Sequence, residues 1–144
     1  MKTRLITRVR SERGAEIVEF AIVLPVLLLL GLGICDFGML FQRYEIVTNA
    51  AREGARAGAV GLSESQISTV VDEYLKAGGL KAQPTVEVEF PTIGANPALN
   101  AVRVTVAYPN GSFIVAPIAK MFGSSLEVVT LRSASTMRVE IQGS

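Results

Sequence analysis

The sequence predicts an α+β protein in which a long apolar N-terminal helix leads into a small outer domain. Three features carry this prediction: an apolar run near the N-terminus, an amphipathic segment after it, and alternating segments beyond that. They predict one amphipathic helix packed on an antiparallel sheet of three or four strands. The expected organisation is a basic leader over residues 1–14, a transmembrane and extended helix over 15–60, and an α+β unit over 61–144.

The apolar run is long enough to cross a membrane. Asp36 is the only charged residue between Glu19 and Arg43, and a bilayer core of ~30 Å takes about 20 helical residues. Pro25 lies inside the run, where it removes one helix hydrogen bond and either kinks the span or is simply tolerated. Five Lys and Arg residues against one Glu occupy residues 1–14. The positive-inside rule therefore predicts a cytoplasmic N-terminus and a C-terminal domain on the outside.

An ordinary cleaved signal peptide is an alternative for this basic and apolar start. The apolar run of such a peptide is about 7–15 residues long and ends in a small-x-small cleavage site. The run here is longer, and residues 36–43 contain no convincing Ala-x-Ala site. The sequence therefore favours a retained anchor.

The predicted helix extends past the membrane to about Val60. Polar residues recur there at spacings of three and four and form one stripe: Gln42, Glu45, Asn49, Arg52 and Arg56. Small residues form rows on other faces, which permits close approach of a neighbouring helix: Ala51, Ala55 and Ala59, with Gly54 and Gly58. The alternative is a helix end that frays near Gly58 and Gly61.

The segment after Gly61 predicts a second helix. Ser63 with Gln66 has the spacing of a capping box, and Gly78-Gly79 ends the segment. Apolar residues follow the helical period between these points, at Ile67, Val70, Val71, Tyr74 and Leu75.

Three later segments alternate as strands do. Residues 85–90 place Val86, Val88 and Phe90 on one face; residues 101–108 place Val102, Val104, Val106 and Tyr108 inward; residues 128–141 do the same with Leu131, Met137, Val139 and Ile141. Arg103 is expected to face Glu87 or Glu89 across the first strand pair. Residues 113–122, which contain Pro117, predict a short helix or loop.

The composition argues against several function classes. The chain has no histidine, and its single cysteine, Cys35, lies in the apolar run, so neither a His-dependent catalytic site nor a cysteine metal site is expected. The net charge of +1 gives no basic field for nucleic acid. We therefore expect no enzyme, no catalytic residues, no cofactor, no metal and no small-molecule substrate.

The start of the apolar run carries the functional signal, because Gly14 and Glu19 stand there in the order Arg-Gly-Ala-Glu-Ile-Val-Glu-Phe over residues 13–20. A glycine lets the backbone extend into a protease cleft at little steric cost, and a cut there removes the basic leader. A carboxylate at the hydrocarbon edge is disfavoured, so Glu19 requires a partner. The alternative is that Glu19 marks the interfacial end of an ordinary anchor.

These residues resemble the type IV prepilin processing site. The resemblance implies that a prepilin peptidase cuts after Gly14 on the cytoplasmic side, so that Ala15 becomes the N-terminus. It also implies that Glu19 and Phe20 belong to the recognition signature, and that Glu19 pairs with the α-amine of Ala15 of a neighbouring subunit.

Residues 14–25, the Ala-Ala-Arg-Glu-Gly-Ala-Arg-Ala segment at 50–57 and the Ser-Ala-Ser-Thr-Met-Arg segment at 133–138 resemble TadE-like proteins of the tight-adherence (Flp) pilus system. The resemblance is strongest over residues 13–60. It implies a pseudopilin or minor pilin of the bacterial inner membrane that helps to assemble Flp-type pili for adhesion. Its partners would be the prepilin peptidase and other pilin and pilus-assembly subunits, and it would enter the extracellular pilus or remain in the membrane.

Six residues are candidates for packing between subunits: Pro25, Asp36, Arg52, Glu53, Gly54 and Arg56. For Asp36 the alternative is an interfacial position at the outer headgroups, and for the charged residues it is a solvated face with local ion pairs. An uncleaved single-span protein with an outer binding or sensory domain is the alternative function. A membrane-anchored enzyme is the third class of function, and the sequence lacks the residues that such an enzyme usually uses.

Overall fold

The computed structural model describes residues 9–81, 83–92, 100–112, 115–121, 123 and 129–139. Along the chain the elements are α1 (Val9–Ala59), α2 (Glu64–Ala77), β1 (Thr85–Glu89), β2 (Ala101–Asn110), α3 (Val115–Met121) and β3 (Val129–Arg138). The strands form one antiparallel sheet in the order β1-β2-β3. The predicted α+β class is confirmed, with three strands in the described part of the chain.

Helix α1 is a single helix of 51 residues that contains Pro25 in its interior. It ends as predicted near Val60, because Gly61 adopts a left-handed φ of 90°. The Leu62 amide then bonds the Ala57 carbonyl at 3.2 Å, and the Gly61 amide bonds that of Gly58 at 3.0 Å. This pattern closes the last turn and leaves no frayed end at Gly58.

The two halves of α1 have different surroundings. Every residue from 14 to 31 is exposed. Within Gly14–Ala59 the helix is long and apolar enough to span a membrane, and its most apolar 18-residue stretch has a mean hydropathy of 2.6. From about residue 40 the helix becomes part of the core, where Val47, Ala50 and Ala51 are fully buried. The predicted boundary at residue 60 coincides with the end of α1. The second half of α1 nevertheless packs with the elements that follow it, so the packed unit extends across this boundary.

Helix α2 runs back along α1. The Ser63 amide donates to Gln66 Oε1 at 3.0 Å, as the predicted capping box requires. Of the predicted apolar positions Ile67, Val71 and Leu75 are buried, while Val70 is half-buried and Tyr74 lies at the surface. The helix stops at Ala77, before the predicted glycine pair.

The sheet turns one face towards the two helices. The predicted inward residues of β2 are all buried: Val102, Val104, Val106 and Tyr108. On β3, Leu131 is buried, and Met137 and Val139 are half-buried. Four residues at which the predicted segments begin or end lie outside the described part of the chain: Phe113 and Phe122 of the short helix or loop, and Val128 and Ile141 of the last strand.

The first strand is shorter than predicted. Val86 and Val88 are half-buried, but β1 ends at Glu89, and Phe90, predicted to face inward, is 56% exposed. Pro91 follows and has no N–H for the ladder; its carbonyl instead accepts a hydrogen bond from the Ala101 amide at 3.0 Å.

The outer face of the sheet carries charges of both signs. Glu89 lies opposite Arg103 in the register of β1 and β2, as predicted. Glu87, however, pairs with Arg132 of β3 at 3.0 Å, across the central strand. Both side chains of this ion pair are largely exposed, so it adds only about 0–1 kcal/mol to stability.

Candidate functional site

The Gly14–Ala15 peptide bond lies within α1, a little over one turn after the helix begins at Val9. A Cβ added to Gly14 would meet no atom within 4 Å, so packing within the described chain does not require a glycine there. Glycine is about 1 kcal/mol less favourable than alanine inside a helix. The helix therefore opens more easily at this bond than at its neighbours, which is what a protease that binds extended substrate needs.

Glu19 and Phe20 lie one turn further along, at the start of the exposed apolar half. Both are exposed, Phe20 by 60%. Glu19 has no hydrogen bond or ion pair with any side chain that the structure describes. Glu19 is thus an exposed carboxylate beside a long apolar surface, with no partner among the side chains that the structure describes.

Asp36, predicted to serve either subunit packing or the interface, has a partner within the chain. It is half-buried, and its carboxylate accepts a hydrogen bond from the Ser112 hydroxyl just after β2. The same Ser112 oxygen accepts from the Ala116 amide of α3 at 3.1 Å. Asp36 thus fixes the outer domain to the last part of the apolar run.

A second bond holds the same end of the sheet to α1. Arg43 Nη1 donates to Asn110 Oδ1 at 2.5 Å, and Asn110, the last residue of β2, is only 5% exposed. Arg43 and Asn110 are far apart in the chain, as are Asp36 and Ser112. No periodic pattern in the sequence could therefore predict either contact. Together the two hydrogen bonds fix the position of the domain along the axis of α1.

The small residues of α1 serve contacts within the chain. A Cβ on Gly54 would lie 2.6 Å from Val71 Cγ2 and 3.1 Å from Val104 Cγ1, and one on Gly58 would lie 2.6 Å from Val102 Cγ2. Both glycines are buried. The close approach that the pattern predicted is therefore made with α2 and the sheet, and Gly54 is closed to a neighbouring subunit.

The charged residues of this element lie at the surface. Glu53 and Arg56 form an ion pair at 2.5 Å, and the hydrogen bond from Arg56 lowers the pKa of the Glu53 carboxyl below its usual value. Arg52 is exposed beside them. The predicted polar stripe, from Gln42 to Arg56, is exposed at all five of its positions.

The candidate residues predicted from the sequence thus form two groups along α1 rather than one cleft. Gly14, Ala15, Glu19 and Phe20 surround the junction, Pro25 is an exposed residue of the span, and Asp36 begins the docked domain. Among the residues that the structure describes, no three His, Cys, Asp or Glu side chains are grouped as for a metal ion. Ser112 and Asn110 were not singled out from the sequence, because no local pattern relates them to α1.

Comparison with known proteins supports the helical part of this description. Residues 14–56 match the family model of TadE-like protein; no curated protein and no solved structure gives a significant match. The matched region contains the junction, the apolar run and the buried glycine of the second half of α1, and it stops before α2. Over residues 14–56 the chain is therefore similar to TadE-like proteins, the family that its sequence was predicted to resemble.

Proposed function

We propose that this protein is a minor pilin or pseudopilin that helps to assemble Flp-type pili and is processed by a prepilin peptidase after Gly14. It lies in the inner membrane as a single span, with its N-terminus in the cytoplasm and the α+β domain outside. Its partners are other pilin and pilus-assembly subunits. One observation carries this proposal: Glu19 stands at the start of the exposed apolar half of α1 and has no partner among the described side chains.

The position of Glu19 relative to the junction supplies the assembly chemistry. Cutting after Gly14 creates an α-amine on Ala15, which is positively charged at neutral pH. In a low-dielectric surrounding, one carboxylate and one amine attract strongly, and each compensates for the cost of burying the other. A subunit that enters an assembly would therefore stop where its Glu19 meets such an amine.

Two amines compete for this carboxylate. Ala15 precedes Glu19 by four residues, which is about 6 Å along a helix axis, and a helical side chain leans towards the N-terminus. The carboxylate therefore lies near the amine of its own subunit as well as that of a neighbour. We assign the neighbour's amine as the partner in the assembled state, where lipid and water no longer surround Glu19.

The experiment is to express the full chain with the prepilin peptidase of its host and to identify its N-terminus by mass spectrometry. The unmodified chain is expected to begin at Ala15, and Gly14→Val is expected to stay intact. Gly31→Ala is the matched control and should be cut normally. An added Cβ meets nothing within 4 Å at either glycine. An intact leader on the unmodified chain in the presence of active peptidase would contradict the processing.

One observation favours a second candidate, an uncleaved single-span protein with an outer binding or sensory domain. Helix α1 runs without interruption through Gly14, so the peptide bond after Gly14 is helical in the free chain and is not in the extended form that a protease binds. This candidate predicts the same intact N-terminus in the presence and in the absence of the peptidase. The mass of the mature chain therefore separates the two functions directly.

A further inference from the structure

A cleft opens between α1 and the end of the sheet, on the side of the domain that faces the apolar half of α1. Its volume is about 470 Å³. Arg43, Lys81, Tyr108 and Ser112 contribute its polar side chains, and the turns around Gly79 and Gly111 complete its walls. Among the described residues that line this cleft there are two cations and two hydroxyl groups and no carboxylate, so these walls fit an anion that carries several oxygens.

The position of the cleft relative to the membrane follows from the two hydrogen bonds that hold the domain to α1. Ser112, which lines the cleft, bonds Asp36 near the end of the apolar run, and Arg43 is the first residue after that run, which spans residues 20–42. The headgroup layer on each side of a bilayer is roughly 5–8 Å thick. With the apolar run in the membrane, the cleft therefore opens into the outer headgroup layer.

A second space adjoins the cleft along α1. It has a volume of about 180 Å³, shares Arg43, Gly79 and Leu80 with the cleft, and is also lined by Met39, Gln42, Ile46 and Gly78. On the open surface of the same helical segment, Phe37 is 66% and Phe41 is 57% exposed, so large apolar side chains still face outwards beside the cleft. Cationic and hydroxyl side chains thus lie next to an exposed apolar surface, as a lipid headgroup with attached acyl chains requires.

We propose that this cleft binds the headgroup of an anionic phospholipid from the outer leaflet, with its phosphate held by Arg43 and Lys81. This inference rests on the proposed membrane span and its orientation. A guanidinium offers five N–H donors in a planar fork and binds several acceptors at once. The bond to Asn110 holds that fork at the cleft. The bound lipid fixes the outer domain at the membrane surface, with its sheet held beside α1.

The test uses the full chain in detergent, titrated with phosphatidylglycerol, phosphatidylcholine or inorganic phosphate, with bound ligand counted by native mass spectrometry. Phosphatidylglycerol is expected to bind best. Lys81→Gln should weaken its binding about fivefold, the effect of one cation at a charged surface. Arg43→Gln should weaken it at least as much. Lys81 is exposed, so its loss leaves the fold intact even where Arg43→Gln loosens the docked domain.

Arg103→Gln is the matched control, because Arg103 is an exposed cation on the outer face of the sheet, roughly 17 Å along β2 from Tyr108. It should leave lipid binding unchanged. Equal weakening by Arg103→Gln and Lys81→Gln would overturn the site in favour of a diffuse charge effect. Binding of inorganic phosphate as tight as that of phosphatidylglycerol would overturn the lipid as ligand.

Failure of the site and failure of the proposed function give different results. A chain that alkaline extraction releases from membranes has no span, and both proposals then fall. A chain that stays in the membrane, begins at Ala15 and shows no preference for the anionic lipid overturns the site alone.

Discussion

The Ser112 hydroxyl donates a hydrogen bond to the Asp36 carboxylate, and this bond joins the loop after β2 to the last part of the apolar run. An acidic residue in an apolar run is energetically costly, and a hydrogen-bond partner in the folded domain reduces that cost. The bond also shows that the domain does not begin where α1 ends, because Asp36 lies far before Ala59. Residues 14–31 of α1 are all exposed.

Ser112→Ala should destabilise the docked domain, because it leaves the half-buried Asp36 carboxylate without this donor and removes the oxygen that accepts from Ala116. We expect a loss of about 1 kcal/mol in the free energy of unfolding. Urea unfolding of the detergent-solubilised chain measures it. Ser68→Ala, at a half-buried serine of α2, is the control. Equal stability of Ser112→Ala and the unmodified chain would show that the bond does not hold the domain.

Gly54→Ala should also destabilise the protein, although alanine normally improves a helix. Its Cβ would come within 2.6 Å of Val71 Cγ2, and overpacking of this kind costs about 1–3 kcal/mol, more than the ~0.5–1 kcal/mol that alanine gains over glycine in a helix. Gly38→Ala is the matched control, because its Cβ meets nothing within 4 Å, and it should be neutral or stabilising. The same unfolding assay compares them.

The cause of the Gly54→Ala effect can be separated from a general loss of helix packing. Val71→Ala removes the methyl groups that the new Cβ would meet, so the double substitution should be less destabilising than the sum of the two single ones. Additive losses would mean that Gly54 does not pack on Val71 in the way described.

The sequence could predict what is periodic or local. The alternation at Val102, Val104 and Val106 identified the buried face of β2, and the Ser63–Gln66 spacing identified the start of α2. Small residues around Gly54 predicted a close helix contact, but such a pattern does not name the partner. The contacts of Asp36 with Ser112 and of Arg43 with Asn110 join residues far apart in the chain, and no local pattern relates them.

The pKa of Glu53 should respond to Arg56. The hydrogen bond and charge of Arg56 lower the pKa of Glu53, so this pair stabilises the folded state above the ordinary pKa of a glutamate and loses that effect as the pH falls through the lowered value. Because the pair is at the surface, the stability effect is small and screened by salt. NMR titration of the Glu53 carboxyl should therefore give a pKa below the ordinary value of a glutamate, and Arg56→Gln should raise it. An unchanged value in Arg56→Gln would mean that the pair does not form in solution.

Glu19→Ala should separate processing from assembly. The cut after Gly14 exposes Ala15 and does not consume the Glu19 carboxylate, so mass spectrometry should still find a chain that begins at Ala15. Pilus assembly should fail, because the neighbouring amine then lies in an apolar surrounding without its counter-charge, which destabilises an assembly by several kcal/mol when one member of a buried pair is removed. Glu16→Ala removes an exposed carboxylate three residues earlier and should support assembly. Electron microscopy of cells that carry each variant counts the pili. Normal piliation in Glu19→Ala would remove the pairing role and leave Glu19 as the interfacial end of an anchor, whereas failure in both variants would point to the charge of the segment rather than to one carboxylate.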